Sequence, residues 1–71
     1  MADYRLTDGA WLIRETERVK AVLTTNLVRG RSYSVANLLT LLKDLGLVYD
    51  QITLVAIRDN LVADGTIEVA P

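Results

Sequence analysis

Apolar positions recur at two different spacings along this chain, and the change of spacing marks out its elements. From Ser34 onward, Val35, Leu38, Leu39, Leu42 and Leu45 repeat at three- and four-residue intervals, the interval that places side chains on one face of a helix. Ser34 is suited to accept a hydrogen bond from the free N–H groups of the first turn, so the pattern predicts a helix over 34–46 that stops at Gly46, where a left-handed conformation ends it. Asp50 repeats the capping role, Leu54, Ile57 and Leu61 form the inward face of a second helix over 50–64, and Gly65 stops it. Thr66-Ile67-Glu68-Val69 then alternates polar with β-branched residues, which predicts a half-buried edge strand.

Upstream, Leu12, Val19, Val22, Leu23 and Leu27 fall on one side of a periodic segment, with Arg14, Glu15, Arg18 and Lys20 assigned elsewhere. An amphipathic first helix over 7–29 is expected, preceded by a flexible stretch over 1–6. Asp8-Gly9 is also the dipeptide favoured in two-residue hairpin turns, so a hairpin over residues 4–14 is the competing reading of its start. Arg29 to Tyr33 connects this helix to the next.

Composition narrows the function classes. A chain of 71 residues makes one domain that buries about 60% of the surface its unfolded form exposes, so its stability is marginal. Without cysteine or histidine, disulfides, thiolate nucleophiles, imidazole bases and most zinc sites are excluded. The carboxylates are scattered; Asp59 with Asp64, and Asp44 with Asp50, read as caps and a solvated face. The glycines form no phosphate-binding loop. No catalytic residue, metal ligand or cofactor site is assigned, and the protein is expected not to be an enzyme. No apolar run approaches the ~18 residues of a membrane span, and MADYRLTDG lacks a signal-peptide pattern, so a cytoplasmic location is expected.

The hydrophobic fraction of 51% exceeds what one small core hides, and self-association is the commonest remedy for a small scaffold. Leu41, Leu47, Val48, Val55 and Val62 fall off the inward faces, and Leu41, Val55 and Val62 are the candidate interface residues of a homodimer or of a contact with a protein partner.

Charge divides the chain in two. Residues 1–31 carry six cations against four anions (+2), and residues 32–71 carry two against five (−3). DNA readers draw most affinity from Lys and Arg on phosphates and read base edges with Arg, Lys, Asn or Gln. The last helix offers Gln51, Thr53, Arg58 and Asn60 for that work, but also Val55 and Ala56.

The runs LLTLLKDLG, LVYDQITLVAIRDNL and VADGTIEV resemble the winged helix-turn-helix superfamily. More narrowly, Ser34–Val69 is similar to small winged-helix proteins of Mu-type bacteriophages and prophages, in which a Leu-rich helix ends in Leu-Gly and a second helix ends in Gly before a short strand. The resemblance covers about half the chain. It implies a mainly α, three-helix winged helix-turn-helix domain with a short C-terminal β-strand, a phage or prophage origin, and a regulatory or assembly role. The chain departs from the family at Val55 and Ala56, where polar residues are usual.

Two functions follow as expectations. One is a dimeric DNA-binding transcriptional regulator, with Gln51, Thr53, Arg58 and Asn60 at the major groove of double-stranded DNA and Arg29, Arg31 and Thr66 on phosphates. The other is a protein-interaction or assembly module that keeps the frame without reading DNA.

Overall fold

The computed structural model describes residues 2–70. Residue 1 of the expected flexible stretch, and residue 71, lie outside the described residues. Three helices carry the fold: α1 (Asp8–Asn26), α2 (Val35–Asp44) and α3 (Gln51–Ala63). Each begins at a residue whose side-chain oxygen accepts a backbone N–H of its first turn. Thr7 accepts from Ala10 at 3.1 Å, Ser34 from Asn37 at 3.0 Å, and Asp50 from Thr53 at 2.7 Å. At Ser34 the bond is reciprocal, because the Asn37 side chain accepts from the Ser34 N–H at 3.1 Å, so two otherwise free donors are satisfied together. Asp8 and Gly9 lie in the first turn of α1; the helical start forms rather than the hairpin.

Both later helices end in the same way. Gly46 and Gly65 take φ angles of +88° and +82°, so that the next residue turns back on the helix. The Leu47 N–H reaches the Leu42 carbonyl at 2.8 Å, and the Thr66 N–H reaches that of Leu61 at 3.0 Å, closing carbonyls that the helix itself leaves open.

The core consists of Val19 and Leu23 from α1, Leu38 and Leu42 from α2, and Leu54, Ile57 and Leu61 from α3. α3 is the hub, packed against both α1 and α2. Its three inward residues fall at intervals of three and four, so one stripe serves both neighbours.

Four expectations need correction. Residues 66–69 form no strand, and none occurs among the described residues. A strand exists through its ladder; here the N–H groups of both Thr66 and Ile67 are drawn back to the Leu61 carbonyl, at 3.0 and 3.3 Å. Leu45 is half-exposed instead of facing inward, because α2 has already ended at Asp44. Leu41 and Leu47, expected off the core, pack against it; Leu47 is folded back by the turn at Gly46. Finally, Glu15, assigned to the polar side of α1, is 5% exposed. It stands four residues before Val19, which places it on the buried stripe.

Candidate functional site

Two surfaces gather the residues singled out by the sequence. The first is a groove of about 830 Å³ between the end of α1, the loop that follows it, the end of α3 and the segment 66–70. Leu23, Leu27, Tyr33, Val62 and Ile67 line it, and Arg29, Arg31, Arg58, Asp59 and Glu68 bring charge to it. The loop is shaped by Tyr33, whose hydroxyl accepts the Val28 N–H at 3.0 Å. The Arg31 guanidinium stands 5.7 Å from the centre of the same ring, within range of a cation–π contact. Gly30, at φ +82°, lets the chain reverse between the two arginines.

Arg29, Arg31, Arg58, Thr66 and Val62 therefore meet around one groove. Their partners differ. Arg29 and Arg31 are exposed. Arg58 is bound to its neighbour: Nε and Nη2 donate to Asp59 Oδ1 at 3.2 and 2.9 Å. The Thr66 N–H donates to Asp64 Oδ1 at 2.8 Å, and its hydroxyl donates to the same oxygen. These bonds from Thr66, with Lys20 Nζ 3.6 Å from Asp64 Oδ2, hold the Asp64 carboxyl below its usual pKa.

The second surface is the outer face of α3. Ile52, Val55, Asp59 and Val62 are spaced by three, four and three residues and so lie along one stripe. Ile52 is 84% exposed, and Val48, just before the helix, is 74% exposed. Val55 is half-buried. The stripe's one charge, Asp59, is engaged by Arg58. Gln51 is exposed at the first turn, and Thr53 is half-buried with its N–H on Asp50. The Thr53 side chain and N–H keep the Asp50 carboxyl below its usual pKa. Asn60 turns away from this face, its amide donating to Thr16 Oγ1 on α1 at 3.2 Å.

A polar cluster between α1 and the segment before α3 has a structural task. The Tyr49 hydroxyl donates to Glu15 Oε1 at 3.0 Å, Arg14 Nε donates to Oε2 at 3.1 Å, and Arg18 Nη1 lies 3.7 Å from Oε1. Burial alone would raise the Glu15 pKa, but the Tyr49 and Arg14 hydrogen bonds and the two guanidinium charges outweigh it and lower the value. The Tyr49 hydroxyl is pushed up to about 12, first by desolvation and then by its bond to the carboxylate. The cluster ties the segment before α3 to α1. Its signal in the sequence was the carboxylate on an apolar stripe, which requires a partner when buried.

No family model, curated protein or solved structure matches this chain. Among the described residues, no group of His, Cys, Asp and Glu side chains could hold a metal ion, and no helix is long and apolar enough to cross a membrane.

Proposed function

We propose that the protein is a non-enzymatic protein-interaction module, of the phage or prophage type, built on a helix-turn-helix frame made by α2 and α3. The observation that carries this reading is the outer stripe of α3. In a DNA reader this face meets base edges and needs donors and acceptors; here it offers Val48, Ile52 and Val55, and its one carboxylate is engaged by the adjacent arginine. An apolar stripe beside a satisfied ion pair suits a protein surface, where burial of each valine- or isoleucine-sized side chain is worth ~1.5–3 kcal/mol at most.

The test replaces Ile52 and Val55 together by Lys. Ile52 is exposed and Val55, though half-buried, lies outside the core cluster, so thermal unfolding should change little while binding of an apolar fluorophore to the native chain falls. Unchanged fluorophore binding would remove the argument from this face.

A second reading, a DNA-binding regulator, is favoured by one observation: Arg29 and Arg31 are exposed at a loop flanking the groove. Such contacts would supply phosphate affinity without base reading. A gel shift with random-sequence duplex at two salt concentrations separates the readings. The interaction module gives no shift at micromolar protein. The regulator gives a shift that weakens with salt and is lost on Arg29→Ala with Arg31→Ala.

A further inference from the structure

The segment before α1 is displayed to solvent with its apolar side chains uncovered. Tyr4 is 94% exposed and Leu6 53%. At the opposite end of α1, the segment after α3 has strand-like alternation and no strand beside it. Val69 is 83% exposed, and residues 67–70 edge the groove lined by Leu23, Leu27 and Val62.

The two segments complement each other residue by residue. Set antiparallel with Arg5 opposite Glu68, the register brings Leu6 to Ile67, Tyr4 to Val69 and Asp3 to Ala70. Opposed residues in such a pair share a face, so Tyr4, Leu6, Ile67 and Val69 form one apolar face while Arg5 and Glu68 pair on the other. A register shifted by one residue would set Arg5 against an apolar residue and lose both matches.

The pairing cannot close within one chain. Tyr4 stands four positions before the start of α1 at Asp8, a reach of about 14 Å when fully stretched. Leu23, the first α1 residue in the groove, stands fifteen residues along the helix from Asp8, about 22 Å at the rise of an α-helix. The arm therefore falls about 8 Å short of its own groove. A second copy has no such limit.

We propose that the chain forms a two-fold dimer by exchanging arms: residues 3–6 of each copy pair with residues 67–70 of the other, and Tyr4 and Leu6 enter the partner's groove. The strand that the alternation at 66–69 predicts then forms between chains, as an isologous interface that each copy completes for the other. This surface is distinct from the outer face of α3 apart from Asp59 and Val62, which edge both.

Because the chain has no cysteine, introduced thiols report the pairing directly. Facing residues of an antiparallel pair have Cα atoms about 4.5–5.5 Å apart, within the span a disulfide bridges. Chains carrying Tyr4→Cys alone and Val69→Cys alone should, when mixed and oxidised, give mainly the mixed dimer. A mixture of Tyr4→Cys with Glu68→Cys, which places the thiols on opposite faces, should give far less. In sedimentation of the full chain, Arg5→Glu should weaken the dimer about tenfold, two such pairs being lost per dimer, and adding Glu68→Arg should restore it. A chain that stays monomeric to about millimolar concentration, or disulfides formed without regard to register, would overturn the proposal. A dimer indifferent to the arm substitutions but broken by Ile52→Lys would overturn it too, while leaving the reading of the α3 face intact.

Discussion

Glu15 and Tyr49 show how one pair of side chains makes stability depend on pH at both ends of the scale. The Glu15 pKa lies below its ordinary value in the folded chain, so its contribution to stability is present above the unfolded carboxyl pKa of about 4.3 and is lost as pH falls through the lower folded value. Asp50 and Asp64 are shifted the same way and add to the acid lability. Tyr49 works at the other end of the scale. With its hydroxyl raised to about 12, its contribution is complete below the unfolded value of about 10 and is lost as pH rises through the folded one. Tyr49→Phe should therefore move the acid midpoint of unfolding to higher pH, since Glu15 loses its first hydrogen-bond donor, and should flatten the loss between about pH 10 and 12. Circular dichroism across pH checks both limbs. A further residue-scale prediction concerns Gly46 at φ +88°: Gly46→Val should cost about 1–3 kcal/mol in chemical denaturation, because a β-branched residue is strained in that region.

At the scale of elements, the helix starts and stops were legible because their chemistry is local. Ser34, Asp50, Gly46 and Gly65 each act on backbone groups within a few residues. Ser34→Ala should remove one half of the reciprocal cap and destabilise the domain by about 1 kcal/mol, measurable as a shift in the urea midpoint. The strand at 66–69 was legible as alternation, but alternation cannot supply the second strand a ladder requires. The burial of Glu15 was missed for the opposite reason: its charge was weighed above its position, although the stripe through Leu12, Val19 and Leu23 runs past it. Of the candidate site, the convergence of Arg29, Arg31 and Arg58 on one groove depends on how α1 and α3 pack, which no local pattern contains. The tie of Asn60 to Thr16 belongs to the same class, since it spans two helices, whereas the tie of Thr66 to Asp64 is local turn chemistry of the kind an Asp two residues before a Thr offers.

For the molecule as a whole, a core of seven buried apolar side chains leaves little margin. A domain of this size is stable by about 4–10 kcal/mol, and Leu54→Ala, at a position 1% exposed in the hub helix, should remove about 2–5 kcal/mol of it. The variant should be largely unfolded at moderate urea, with all three helices lost in one transition; a residual α1–α2 signal would contradict the role of α3 as hub.

That role also has a consequence in time. α1 is made first, yet the helix that covers Val19 and Leu23 is not complete until Ala63, thirty-seven residues after α1 ends at Asn26. At synthesis rates of 5–20 residues per second, the first helix waits about 2–7 s for its cover. During that interval the apolar side of α1 has no partner from α3. Chains ended before residue 51 and followed by a linker long enough to carry α1 clear of the ribosome should be captured by a holdase and cut readily by protease, and extending them through residue 70 ahead of the same linker should end both.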